Sequence, residues 1–290
     1  MTRVAFVTCA AHPEGIEDDQ RAAELVAAEF LVWEDESVDW RAYDRVVVRS
    51  VWDYTSRVEA FLAWADAVGG ERLRNTPELL RFNADKRYLT SLDAPTVPTT
   101  LLEPGDPMPG YDTEIVIKPN ISAGARDTGR FMPEAAGEAA ALLERIHLTG
   151  RAALMQPYLA GVDRDGERAV VFFGGEISHV LHKRPVLRDA GVAPLATAAH
   201  APAAIMLEPD LVVPGTATPE QLELAQRVHQ EISGRFGEPL FVRIDMVPGP
   251  DGSPVLIELE AIEPMLYLDL IPGSAERFAA ALRAGWSRRP

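Results

Sequence analysis

Residues 239–248 read PLFVRIDMVP and residues 253–264 read SPVLIELEAIEP, with the turn-rich stretch PGPDGSP joining the two patterns. Successive side chains of a strand point to opposite faces. Leu240, Val242, Ile244 and Met246 therefore share one face of the first strand, and Arg243 and Asp245 share the other. In the second strand Val255, Ile257 and Leu259 are apolar, while Glu258 and Glu260 point the opposite way. A hairpin symmetric about its loop sets Asp245 opposite Glu258 and Arg243 opposite Glu260, with facing Cβ atoms about 5 Å apart. Three carboxylates then crowd one patch beside a single arginine. Charges that close either raise their pKa values or enclose a cation. Neither strand holds Cys or His, so an enclosed ion is a hard one, Mg²⁺ or Mn²⁺. The other reading is the solvated outer face of an edge hairpin. Because Mg²⁺ usually completes its shell with phosphate oxygens, the metal reading brings a nucleotide with it.

The cations sharpen the second half of that reading. Of 28 basic residues, 25 are arginines and three are lysines: Lys86, Lys118 and Lys183. Lysine is the compact point charge suited to phosphate oxygens. Lys118 ends the strand EIVIK and runs into NISAGARDTGR, a loop whose small residues let backbone N–H groups approach phosphates. It is neither a Walker A motif nor a dinucleotide fingerprint, and an ordinary surface loop is the alternative. Lys86 falls in a helical segment, NADKRYL, where a solvated face is the plain reading. Lys183 and Arg184 close the second strand of the hairpin ERAVVFF-GG-EISHVLH, whose Gly-Gly pair suits a type I′ turn. Alternation places Glu167 with His182 on one face of that hairpin, and Arg184 on the side of His182.

At the other end, residues 3–8, a helix over EDDQRAAELVAAEF, then FLVWED and RVVVRS give a β-α-β order with short links, the pattern of a parallel Rossmann-like sheet. Ser56 to Glu59 reads as a capping box, and Val58, Phe61, Leu62, Ala65 and Val68 recur at helical spacing up to Gly69-Gly70. The later segments mix hairpins and helices, with a capped helix opening at Thr218-Pro219 and an Ala/Pro-rich excursion over 186–217. The fold class expected is thus α/β followed by α+β. Two domains suit the length of 290 residues at about 150 per domain. A net charge of −16 argues against a nucleic-acid footprint. No apolar run approaches the roughly 18 residues that span a bilayer. A single cysteine, Cys9, forms no internal disulfide, so it reads as a buried structural thiol in a cytoplasmic protein.

In order along the chain, NADKRYL, IVIKP with its loop, MQPYL, the Gly-Gly hairpin ending KRP, VRID and IELEAIEP resemble the ATP-grasp ligases. MQPYLAGVDRDGERAVVFFGGE looks particularly like the adenine-hinge region of bacterial glutathione synthetase. The resemblance implies an ATP-grasp domain over 81–290, with a smaller lid-like part near 98–155, behind a pre-grasp domain over 1–80. It implies that Lys86, Lys118, Ser122 and Gly124 meet nucleotide phosphates, with Arg126 as an extra γ-phosphate contact. Gln156, Tyr158 and Leu159 would line adenine, and Glu167 and Lys183 the ribose and phosphate side. Asp245, Glu258 and Glu260 match the metal ligands, although the position of Glu260 is usually Asn in the family. Arg243 and Arg184 match the arginines that steady the transferred phosphoryl group and the substrate.

VVVRSVWDY, FLAWAD and ELEAIEP are similar to one branch of that family, which includes the cyclo-ligase acting on O-ureido-serine in D-cycloserine biosynthesis. That likeness makes Arg49 and Asp53 candidates for an amino acid's carboxylate and amine, with Trp52 and Tyr54 as binding or packing residues. The expected enzyme uses ATP and Mg²⁺ (or Mn²⁺) to activate a carboxylate as an acyl-phosphate for attack by nitrogen. The nitrogen belongs to the same amino-acid-like small molecule in one version and to a second molecule in another. A nucleotide-binding regulator without turnover is the rival outside catalysis, and a homodimer is a candidate assembly.

Overall fold

The computed structural model describes residues 2–187, 190–192, 208 and 210–287. Its first part alternates strand and helix: β1 (Val4–Thr8), α1 (Glu17–Val26), β2 (Ala28–Val32), β3 (Arg45–Ser50), α2 (Val58–Val68), β4 (Leu73–Arg74) and α3 (Pro77–Ala84). The four strands make one parallel sheet in the order β2-β1-β3-β4. Two boundaries differ from the sequence reading. Helix α1 stops at Val26 because Ala27 turns left-handed, and Ala28 to Val32 then pair in register with Val4 to Thr8. Ser56 does not cap α2: it ends the 3₁₀ turn Trp52–Ser56 and donates to the Asp53 carbonyl at 2.8 Å.

A second group follows: β5 (Thr100–Leu102), β6 (Ile115–Pro119), β7 (Gly129–Phe131), α4 (Ala136–His147) and β8 (Ala153–Pro157). With β11 (Gly191–Val192) these strands form an antiparallel sheet, β11-β7-β6-β8-β5, backed by the Leu142, Leu143 and Ile146 face of α4. After the short α5 (Gly161–Asp165) come β9 (Glu167–Phe173), β10 (Glu176–Lys183), β12 (Val212–Pro214), α6 (Pro219–Phe236), β13 (Phe241–Pro248), β14 (Pro254–Glu260) and α7 (Ser274–Ser287). The third sheet is antiparallel in the order β12-β10-β9-β13-β14. Gly174 and Gly175 both have positive φ and join Phe173 to Glu176 as the two-residue turn the sequence predicts. Thr218 and Gln221 form the full capping box of α6, whose Leu224, Val228 and Ile232 are buried. Most of the excursion expected over 186–217 lies outside the described residues.

Helix α7 ties the first sheet to the third. The ring of Phe278 stands edge-on to Phe6 and Phe173, with centroids at 6.1 and 5.2 Å, and lies 6.1 Å from Phe241. Those aromatics belong to one core that runs from β1 into β9 and β13. The other face of the first sheet packs on α2 and α3, and the other face of the third on α6.

The outer edge of β14 is satisfied by side chains and a loop instead of another long strand. Asn83 donates to the Leu259 carbonyl and accepts from the Ala261 N–H, each at 2.7 Å. Tyr88 Oη bridges the Leu259 N–H and carbonyl at 2.9 Å, and Val97 and Pro95 bond the two sides of Leu256. Asn75 likewise donates to the carbonyls of Phe241 and Ala261. Buried backbone groups need partners, and here segment 75–97 supplies them.

Candidate active site

The register predicted for the central hairpin holds at its functional end: Arg243 faces Glu260 and Asp245 faces Glu258. Beyond Asp245 a bulge shifts the pairing, so Met246 meets Leu256. Leu256, with Leu259, therefore fills the core, and Ile257 and Val255 turn toward Leu159 and Val97 on the other side. This corrects the expectation that Ile257 and Val255 share the face of Leu259. One extra residue reverses the alternation.

Each acid in the patch is held by a cation. Asp245 is fully buried; Lys183 Nζ donates to its Oδ2 at 2.7 Å, and Arg243 Nε and Nη2 reach its two oxygens at 2.9 Å. Burial works against its charge, yet Arg243 and Lys183 outweigh that and hold its pKa down at about 2. Glu258 lies 3.3 Å from Lys86 Nζ, and Glu260 pairs with Arg243 Nη2. Burial raises Glu260 to about 7 because Glu258 and Asp245 add to it and Arg243 only partly opposes. The sequence reading placed one arginine in this patch; the fold adds three lysines. Among the described residues no three carboxylate, imidazole or thiol side chains converge as a metal cage. The expected trio is tied up in ion pairs: Asp245 with Lys183 and Arg243, Glu260 with the same Arg243, and Glu258 with Lys86. The donors nonetheless suit a hard ion that shares its shell with phosphate oxygens: side chains of Glu258 and Glu260 remain 29% and 26% exposed, all donors are oxygen, and the acids repel one another.

Lys183 owes its place to glycine. Gly166 has φ +64°, and a Cβ there would sit 2.5 Å from the Lys183 carbonyl, so only glycine admits the close start of β9. Glu167 then faces Lys183, not His182, and its Oε2 lies 3.0 Å from Nζ. The sequence reading took the wrong member of the pair because it had no register. Lys86 is not on a solvated helix face either. Helix α3 ends at Ala84, and Lys86 opens the 3₁₀ turn Lys86–Thr90, buried, with Nζ donating to the Ser122 carbonyl at 2.5 Å.

Lys118 is the distinctive cation. It is buried at the end of β6, where burial first and Lys86 next press its pKa down while Glu258 pulls it up. Among the described residues it has no hydrogen bond and no ion pair from its ammonium. Asn120, which the sequence reading passed over, locks the two lysines together. Its Nδ2 donates to Asp85 at 2.8 Å, and its carbonyl accepts from the Lys86 N–H at 2.8 Å. The following loop, with Gly124, Ala125 and Asp127 at positive φ, is docked on the first sheet's edge. Arg126 Nη2 donates to Thr55 Oγ1 at 2.5 Å, and Arg151 bridges the carbonyls of Ile121 and Thr55.

The remaining predicted residues divide. Gln156 is buried in β8 and donates to Thr99 Oγ1 at 2.8 Å. The Tyr158 N–H is taken by the Glu114 carbonyl, and its ring carries Arg130 at 3.6 Å, so Tyr158 braces the hinge. The next amide, at Leu159, has no hydrogen bond among the described residues. Arg184 is exposed past β10. Arg49, expected to meet substrate, is 1% exposed and salt-bridged to Asp19 at 2.8 Å, with Nη2 donating to the Pro264 carbonyl at 3.3 Å. It is a strut between sheets, corrected from its expected role: a strand-end arginine turned inward meets an acid of α1 first. Asp53 accepts from Trp33 Nε1 and Arg57, and Tyr54 packs on Phe61.

Residues 4–75 match the family model described as the N-terminal domain of D-cycloserine synthetase DcsG. Cycloserine biosynthesis protein DcsG of Streptomyces lavendulae is 33% identical over 274 residues, 89% of this chain and 88% of that protein. The chain belongs to the DcsG family. The crystal structure of D-cycloserine synthetase DcsG superposes with a TM-score of 0.84 at 31% identity, covering 98% of this chain and 99% of that one. The RimK domain ATP-grasp protein of Sphaerobacter thermophilus shares the fold at a TM-score of 0.63 and 16% identity, with 97% and 99% covered. Like DcsG, this protein is an ATP-grasp ligase, with ATP as its energy source. No helix among the described residues is long and apolar enough to cross a membrane.

Proposed function

We propose that this ligase closes a ring within one amino-acid derivative, O-ureido-serine or a near relative, to give a cycloserine-type product. The nucleotide half of the reading rests on one observation: among the described residues the buried Lys118 makes no ion pair or hydrogen bond through its ammonium, while Lys86 and Lys183 are paired with the acids. A buried charge without a partner is costly, and phosphate oxygens supply the missing one. The ring-closing half is supported by the DcsG likeness, 33% identical over most of the chain.

In this reading Lys86, Lys118 and the Ser122–Gly124 backbone receive the phosphates, with Lys183 on the ribose side together with Glu167. The Leu159 N–H and the apolar flank of Ile257 and Val255 suit adenine. Asp245, Glu258 and Glu260 would hold Mg²⁺, which supplies charge neutralisation and orientation of the phosphates. Arg243, fixed between Asp245 and Glu260, steadies the charge that develops on the phosphoryl group. The substrate carboxylate becomes an acyl-phosphate, and the oxygen-bound ureido nitrogen of the same molecule loses its proton and displaces the phosphate; the carbamoyl group that nitrogen carries then leaves by hydrolysis to give the free ring. Closing a five-membered ring needs no second organic substrate, and intramolecular attack has a high effective molarity. Arg126, on Thr55, and the exposed Arg184 reach the phosphates only if their loops rearrange. Glu258→Gln is expected to cut ATP turnover to below about 1% while the melting temperature stays within a few degrees. Full activity of that variant, or of the wild type in excess chelator, contradicts the assignment.

A further inference from the structure

His179 lies buried on the face of β10 that also carries Leu181 and Lys183. A bulge precedes it: Ser178 is the extra residue between the pairs Ile177–Phe172 and His179–Val171. There the two neighbouring side chains meet, with Ser178 Oγ 2.9 Å from His179 Nδ1. The other ring nitrogen, Nε2, stands 2.9 Å from the Leu266 carbonyl. A carbonyl only accepts, so Nε2 carries the hydrogen and Nδ1 accepts from the Ser178 hydroxyl. Ser178 Oγ in turn accepts from Arg277 Nε of α7 at 3.0 Å. Three hydrogen bonds thus run in one direction, from α7 through the bulge to Leu266. Burial pushes the imidazole down to about 4, against the pull of the Leu266 carbonyl, so the neutral tautomer holds at neutral pH.

Leu266 belongs to the segment 261–273, which joins the end of β14 to α7. Its carbonyls are taken one after another by side chains: Pro264 by Arg49, Met265 by Arg243 at 3.0 Å, Leu266 by His179, Leu268 by Ser274 at 2.7 Å. Among the described residues His179 is the only hydrogen-bond partner of the Leu266 carbonyl. The next residue, Tyr267, has φ +54°, a left-handed conformation that a non-glycine residue keeps only where its surroundings hold it. Arg243 and His179 stand on β13 and β10, on either side of β9, yet they take adjacent carbonyls. Arg243 bonds Asp245, Glu260 and the Met265 carbonyl; the first two are fixed by strands, and the third only by this loop. A shift of Leu266 therefore moves the one loop-borne anchor of Arg243. We propose that His179 is a positioning residue for the reaction, holding the Met265–Leu266 backbone so that Arg243 keeps its working geometry. The inference rests on the role given to Arg243 in the proposed function.

Glutamine carries its amide nitrogen where Nε2 lies, whereas the shorter asparagine ends near Nδ1. The test compares wild type, His179→Gln and His179→Asn in phosphate release from ATP with O-ureido-serine. It also follows hydrogen exchange of the Asp269 and Ile271 amides, which bond Asp18 and the Tyr267 carbonyl in the same loop. His179→Asn should lower kcat about 10- to 100-fold, the order expected of a displaced reacting group, with KM for ATP within about threefold. In the ligand-free protein its two loop amides should exchange about tenfold faster or more. His179→Gln should bring kcat back to within about threefold of the wild type and keep the slow exchange. His179→Phe, which keeps a ring and loses the donor, should behave as His179→Asn and replaces it if that variant does not fold. Wild-type kcat or unchanged exchange in the donorless variant overturns the inference, as does a His179→Gln equally impaired. A kcat loss matched by an equal loss of ATP affinity also overturns it, since that is general disruption. A wild type that releases no phosphate with O-ureido-serine overturns ring closure, and this inference with it.

Discussion

At the scale of single residues, the site is organised by which charges have partners and which do not. Among the described residues Lys118 has no ion pair, and burial with the repulsion of Glu260 outweighs Lys86 at Glu263; both can be tested. Lys118→Ala should weaken ATP binding by about 1.5–3 kcal/mol, the worth of a hydrogen bond to a charged group, with little loss of stability because no internal pair is broken. Calorimetric titration with ATP checks this, and unchanged affinity counts against it. Glu263 makes the opposite prediction for stability. Its folded pKa of about 8 lies above the value of an exposed glutamate, so the folded state binds the extra proton. Its contribution is complete at pH 4 and below and is lost as pH rises toward 8. Ligand-free protein should therefore lose stability between pH 5 and 8, and Glu263→Gln should recover on the order of 1–3 kcal/mol of it at pH 8. Denaturant melts at the two pH values read the difference; a variant less stable at pH 8 than the wild type contradicts the burial argument.

At the scale of elements, the edge of β14 decides whether Glu258 and Glu260 are held in place. Asn83 makes two hydrogen bonds to that edge from a buried position. Asn83→Ala leaves the Ala261 N–H without its partner and the Leu259 carbonyl with Tyr88 Oη alone, which should cost about 2 kcal/mol and lower kcat. Arg81→Ala, two positions away in α3, breaks only an exposed ion pair with Asp66 and should cost less than about 0.5 kcal/mol. Equal costs for the two substitutions would remove the case for β14 as a pinned strand. The same strand marks the limit of what alternation reveals. Arg243, Asp245, Glu258 and Glu260 were legible because they lie on the unbulged side of the hairpin, where period two applies. Ile257 was misread because nothing local announces a bulge. Glu167 was assigned to His182 because register needs the partner strand, which Gly166 fixes. Arg49 was legible as a strand-end arginine, but its acid, Asp19, comes from a helix 30 positions away. Glu263 was passed over because it lies outside the alternating run, although the motif IELEAIEP displays it.

At the scale of the whole molecule, the parallel sheet and the antiparallel ones were legible from the order of patterns, whereas their junction was not. Phe278 of α7 meets rings from β1, β9 and β13, so the carboxyl edge of the first sheet is fixed over the end of β14. That junction sets Ile262, two residues past Glu260 at the end of β14, into the core of the first sheet with Val51 and Tyr54. The central claim is that one molecule supplies both the carboxylate and the nitrogen. It is tested most directly by incubating the enzyme with Mg²⁺, ATP and O-ureido-serine as the sole organic substrate, and following phosphate and product together. Ring closure predicts phosphate released in step with a cyclic hydroxamate-type product and no response to added amines; phosphate that appears only when a separate amine is supplied contradicts it.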